Sequence, residues 1–325
     1  MTEGLEDLYP ADAIPPALRR QGSGLADGAD GADEAEVAEV AGSAGSVDDF
    51  PSPDGADGAG VAKAADGEDG DGAPNPSPRA ELNSKKPYQG WADRLATELS
   101  RRRVAAGLPE LQYANLAIRG RLLEDIIEEQ LPAALAQKPD LISLMGGGND
   151  ILRPRADVDA MSDKLENAVA QIRAAGIDVL IGTGYKGGES MAFTRAKTGQ
   201  FNANIWSMAR RHGAYVLDLW GTRSLFNWNV MAPDRIHLNT PGHRILADAA
   251  LVALGLPPID PDYEDCEPPL PTPLAERIKG DAHWAREFVV PWVERRLKGQ
   301  SSGDGKVAKL PLLTAWPGSD AEIVG

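Results

Sequence analysis

A single cysteine, Cys266, stands among 325 residues, so no intrachain disulfide can form and the signature of an oxidising compartment is missing. No stretch approaches 18 consecutive apolar residues, which excludes an ordinary transmembrane helix. The start also lacks the basic residues and apolar run of a secretory signal, so a cytoplasmic protein is expected unless the true N-terminus lies upstream of Met1. Histidines number four, and no His/Cys/carboxylate cluster has metal-ligand spacing; neither metal nor cofactor is expected. There is no basic stripe for nucleic acid. G-x-G-x-x-G and a P-loop lysine are absent too, which counts against a nucleotide-binding doubly wound domain.

The net charge of −16 is unevenly spread. Fourteen of the 49 acidic residues fall between Gly22 and Pro76, against one basic residue, Lys63. Residues 22–84 are dominated by Ala, Gly, Asp, Glu, Ser and Pro, with almost no large apolar side chains. Such a segment cannot bury enough surface to offset its ordering entropy, and it reads as a disordered acidic insertion. Residues 85–257 read as the folded domain and 258–325 as a C-terminal extension.

Within the folded domain, helix and strand patterns alternate. Trp91, Leu95 and Leu99 mark a helix face that ends in Arg101, Arg102 and Arg103; Leu111–Leu116 is a short strand; Leu122 to Leu135 is amphipathic. Asp140–Met145 is a short apolar run between Pro139 and three glycines, which suits a strand buried on both faces. A helix through Val158, Leu165 and Ile172, a strand Asp178–Thr183, a helix around Phe201 to Ala209 and a strand Tyr215–Leu219 follow. The last helix of the domain is expected at about Pro241–Leu254, with Thr240 as N-cap. This alternation implies a parallel sheet covered on both faces, with its site at the carboxyl ends of the strands. In the extension, Trp284, Phe288 and Trp292 recur at helical spacing over about 273–297, interrupted by Pro291, and the helix is expected to pack against the body.

Three blocks fall where such a site belongs: Asn115–Gly120, Gly146–Asp150 and Asp234–His237. Their residue types suit acyl transfer. Attack on an ester builds negative charge on the carbonyl oxygen, and the Gly120 N–H and the Asn149 amide are fixed donors able to meet it. Asp234 and His237 stand three apart, so the carboxylate can bind Nδ1–H and leave Nε2 to take a serine proton. Taken singly, each block has an ordinary explanation as turn geometry; their strength is joint order.

That order resembles the SGNH hydrolase (GDSL-like lipase/esterase) family over residues 88–256. The resemblance implies a three-layer α/β/α, flavodoxin-like parallel sheet and hydrolysis of a small or medium acyl ester through an acyl-serine. It assigns oxyanion roles to Gly120 and Asn149, and the acid–base pair to Asp234 and His237. The family's first block, Gly-Asp-Ser-x-x-x-Gly, occurs nowhere in the chain, yet Met1-Thr2-Glu3-Gly4 fits its second half. Residues 1–21 therefore read as the remnant of that block and its loop, with the nucleophile encoded just before Met1.

In this fold the first strand is central. Without it two neighbouring strands would carry unpaired ladder groups, so the literal chain is expected to fold poorly and to lack hydrolase activity. A non-catalytic binding protein that uses the acidic arm is the alternative. Gly299-Gln300-Ser301-Ser302-Gly303 imitates a nucleophile elbow but has no strand before it, and Ser23, Ser43 and Ser46 lie in the low-complexity arm with no scaffold. His243 is expected to cap the last helix or face solvent, and His212 and His283 to lie on helices away from the site.

Overall fold

The computed structural model describes the backbone of residues 36–41 and residues 89–269, 271–298 and 301–318. Six strands form one sheet: β1 (Glu36–Ala41), β2 (Leu111–Asn115), β3 (Leu141–Met145), β4 (Asp178–Gly182), β5 (Tyr215–Leu217) and β6 (Leu310–Trp316). The order is β5-β4-β3-β1-β2-β6, with all pairs parallel except antiparallel β2–β6. Helices α1 (Trp91–Ala105) and α6 (Thr240–Ala253) cover one face through Trp91, Leu95, Leu246 and Ala250. A helical run over 123–136 (α2), α4 (Val158–Ala174) and α5 (Arg195–His212) cover the other through Ile126, Leu165, Phe201 and Ile205; the short helix α3 (Gly148–Ile151) follows β3. The result is the expected three-layer flavodoxin-like arrangement, whose strand order reverses between β1 and β3. Among the described residues no helix is long and apolar enough to cross a membrane.

Local chemistry explains the elements. The Gly90 N–H donates to the Asp93 carboxylate (2.8 Å) at the start of α1, and Arg102 and Arg103 sit in its last turn, where they complement the helix dipole. β3 and β4 are buried at every position, as parallel strands covered on both faces must be. Two prolines shape helices: a π-turn over Ile126–Gln130 precedes Pro132 in α2, and another over Ala285–Val289 precedes Pro291 in the extension's helix α7 (274–297). A proline cannot donate its backbone hydrogen bond and crowds the turn before it, and the wider turn accommodates that locally.

Two expectations need correction. β1 lies inside the segment read as disordered, and it fills the central position expected for a strand encoded upstream of Met1. β2 and β3 therefore do not face each other with an empty ladder between them. Backbone pairing asks little of side chains, and a Val-containing extended stretch, Glu-Val-Ala-Glu-Val-Ala, meets it. The rest of 22–84 lies outside the described residues, as do 1–21. The second correction concerns the extension, which adds the unforeseen edge strand β6 beside its expected helix; Pro311 is tolerated there because an edge strand needs fewer donors.

The start of α6 also differs from expectation. Asn239, not Thr240, is the N-cap, accepting from the Gly242 N–H at 3.1 Å. His243 is 1% exposed rather than at the surface, and its Nδ1 accepts the Trp91 N–H at 3.2 Å, tying α6 to the first residue of α1. Burial pushes its pKa down to about 4, against an opposing pull from Asp93. A histidine kept neutral in the fold contributes stability above its ordinary pKa near 6.5 and loses it as pH falls toward 4. Equilibrium unfolding should thus show about 3 kcal/mol of acid destabilisation between pH 7 and 4 from this residue. In a His243→Gln variant that part of the slope should be gone.

Candidate active site

The carboxyl ends of β2, β3 and β5 open onto one edge of the sheet, because these strands are parallel. Each of the three blocks singled out in the sequence lies in a loop on that edge.

The third block is a closed turn. Met231 bridges Leu238, the Ala232 N–H donates to the His237 carbonyl (2.8 Å), and the Arg235 N–H donates to the Ala232 carbonyl (2.9 Å). Arg235 takes φ +62°, a left-handed conformation unusual for a non-glycine residue. This folds the chain so that one Asp234 oxygen accepts the N–H groups of Ile236 and His237, both at 3.0 Å, while the other meets His237 Nδ1. The Asp234 side chain is 6% exposed and that of His237 17%. Burial pushes the Asp234 carboxyl up, but the hydrogen bond and charge of His237 and the two backbone N–H groups outweigh it and hold the pKa at about 2. With Nδ1 engaged by a carboxylate, proton exchange falls to Nε2.

The other two blocks interlock. Gly120 adopts φ +76°, and a side chain there would meet the hydroxyls of Ser301 and Ser302 within 2.7 Å. The Asn149 amide donates to the Arg121 carbonyl at 2.9 Å, holding the loop that follows β3 against the loop that follows β2. Asp150 reinforces the join: its carboxylate accepts the Leu123 N–H (3.0 Å) and so satisfies a donor at the start of α2. Gly147 is left-handed (φ +91°), and a Cβ on it would lie 2.7 Å from the Phe201 ring. The block therefore admits only glycine there.

Electrostatics link the blocks. Burial lowers the Arg119 pKa while Asp234 raises it, so the residue before Gly120 feels the carboxylate of the third block. Burial pushes the Tyr185 phenol up and Asp234 adds to the effect, which brings the loop after β4 to the same place. His243, also within electrostatic range of His237, serves α1 instead. His212 pairs with Glu166 at 3.0 Å on the helical face, and His283 is exposed on α7. A carboxylate–imidazole pair can move a proton, and a backbone N–H or a side-chain amide can meet a developing negative charge.

Residues 66–245 match the GDSL-like lipase/acylhydrolase family. The chain belongs to that family. Among curated relatives, an acetylxylan esterase from Geobacillus stearothermophilus is 28% identical over 167 residues, 45% of this chain and 74% of the relative. A solved structure of an acetyl xylan esterase variant from the same organism overlays with TM-score 0.45 at 23% identity, covering 53% of this chain and 84% of that one. The crystal structure of TesA overlays with TM-score 0.47 at 17% identity, covering 67% and 97% respectively. The GDSL-like match begins at residue 66, inside the stretch read as an insertion.

Sequence reasoning missed the groups that hold this GDSL-like site together. The part played by Asp150 at α2 leaves no local signal, because the helix start it caps lies 27 residues earlier in the chain. The roles of Trp284, which donates to the Asp234 carbonyl, and Ser301, which donates to the Gly120 carbonyl, leave no local trace.

A depressed carboxylate pKa contributes stability that is present above the ordinary value and lost as pH falls through the folded one. Wild type and Asp234→Asn should therefore differ by about 2 kcal/mol in unfolding free energy at pH 6, and converge between pH 4 and pH 2. A constant difference across that range would show that Asp234 is not held ionised by the turn.

Proposed function

We propose that this protein hydrolyses carboxylic esters of small or medium acyl groups through an acyl-serine intermediate. Family membership and the relationship to an acetylxylan esterase support ester hydrolysis in general. The observation that carries the finer reading is the buried Asp234 carboxylate bound to His237 Nδ1, on the same edge as Gly120 and Asn149.

In this reading His237 Nε2 removes the hydroxyl proton as the serine oxygen bonds to the ester carbonyl carbon. The carbonyl π electrons move onto oxygen, where the Gly120 N–H and the Asn149 amide meet the charge. Collapse breaks the bond to the alcohol, which leaves with the proton from Nε2. Water then repeats the sequence on the acyl-serine, giving its proton to Nε2; collapse returns that proton to the serine and releases the acid. Asp234 stays ionised throughout and stabilises the imidazolium. No cofactor enters.

One candidate for the nucleophile is the serine that the Gly-Asp-Ser-x-x-x-Gly pattern would put immediately before Met1. A rival candidate arises from the fold: the central strand β1 ends at Ala41, two residues before Ser43 in the sequence. One experiment decides among these. The chain is expressed as it stands and with the upstream in-frame codons, each with and without Ser43→Ala. Fluorophosphonate labelling and esterase turnover should appear only when the codons are added, and should survive Ser43→Ala. His237→Ala in the extended protein should reduce turnover by about 10³-fold or more while it stays folded. Labelling of the unextended chain that Ser43→Ala abolishes would move the nucleophile to Ser43. No labelling of any form would favour the non-catalytic binding protein.

A further inference from the structure

We propose that the C-terminal residues 274–298 and 301–303 are a working part of the active site, with Trp284 and Ser301 as positioning residues for the Asp234–His237 turn and the Gly120 loop. The inference rests on the ester-hydrolase reading above and adds to it a component outside the family match, which ends at residue 245.

The grip on the turn comes from one face of α7. The Trp284 indole N–H donates to the Asp234 carbonyl at 2.8 Å. Arg235, the left-handed residue between Asp234 and His237, lies 5.4 Å from the Trp228 ring and 5.1 Å from the Trp284 ring. Its guanidinium pairs with Asp281 at 2.6 Å. Asp281 and Trp284 stand three apart on the helix, so both reach the same turn. A non-glycine residue stays left-handed only where its surroundings hold it, and here the body supplies Trp228 while the extension supplies Trp284 and Asp281. Releasing that hold would let Arg235 relax and carry the flanking Asp234 and His237 out of register.

The second grip is on the oxyanion side. The Ser301 hydroxyl donates to the Gly120 carbonyl at 2.9 Å, and its oxygen accepts the Gly303 N–H at 3.2 Å. Asp304 takes the Ser301 N–H at 2.8 Å, which sets the loop's own shape. Gly303 packs so close to the Arg119 carbonyl that a Cβ would lie 2.1 Å from its oxygen. That carbonyl belongs to the peptide unit that carries the Gly120 N–H. A peptide unit is planar, so blocking rotation of its carbonyl also aims its N–H. Beyond this loop β6 pairs with β2, the strand that leads into Gly120, and anchors the segment at its far end.

The test uses the protein extended to include the upstream codons. Trp284→Phe keeps a ring over Arg235 but removes the N–H, Asp281→Asn removes the ion pair, and Ser301→Ala removes the hydroxyl. Each should lower kcat about tenfold with KM held within about twofold, because the chemistry loses alignment while substrate contacts persist. The low-field Nδ1–H proton resonance of His237 should shift or broaden in Trp284→Phe and Asp281→Asn but not in Ser301→Ala. Folded variants that keep kcat within twofold of the parent, or lose activity only through KM, would overturn the proposal. Should Trp284→Phe fail to fold, Asp281→Asn decides the point for the turn and Ser301→Ala for the loop. If His237→Ala is as active as its parent, the hydrolase reading fails by itself. The resonance then decides alone whether α7 holds the turn.

Discussion

A carboxylate kept ionised in a place with little water constrains everything around it. Asp234 is 4% exposed, and burial alone would drive it toward its neutral form. It stays charged because its two oxygens meet two backbone N–H groups and a histidine ring. Those three donors come from within three residues of chain, and only a tight turn brings them to one side chain. The left-handed Arg235 makes that turn, and the aromatic rings and Asp281 around it keep it there. Charge on one atom pair thus dictates backbone conformation, and the backbone dictates what must pack over it.

The sheet supplies the other half of the arrangement. Parallel strands aim all their carboxyl ends at one edge, and the reversal of strand order between β1 and β3 opens a crevice there. The Gly120 loop follows β2 and the Gly147–Asp150 loop follows β3, one on each side of β1. Asn149 and Asp150 then join these loops through the Arg121 carbonyl and the Leu123 N–H. Side chains that belong to one loop are bonded to the other, which ties the two together.

What could be read from the sequence was local. β3 and β4 are short apolar runs closed by glycine or an equivalent stop, and α1, α4 and α5 carry apolar residues at helical period. The Asp234–His237 pair was legible for the same reason, since three residues of spacing suffice for the contact. What failed was long-range. β1 is chosen by the pairing needs of β2 and β3 rather than by its own composition, which looks like that of the low-complexity sequence around it. β6 contains a proline that argues against a strand until its edge position is known. His243 sits among polar neighbours at a helix start, and only the packing of α1 on α6 buries it. Trp284 showed the period of a packed helix, but nothing in that period says its N–H ends on the Asp234 carbonyl.

The most direct measurement is a crystal structure of the extended protein after reaction with a fluorophosphonate. The phosphonyl group should be bonded to a serine, with its oxygen within hydrogen-bonding distance of the Gly120 N–H and the Asn149 amide and with His237 Nε2 facing the serine oxygen. An adduct held on any other residue, or one whose oxygen meets neither of those donors, would contradict it.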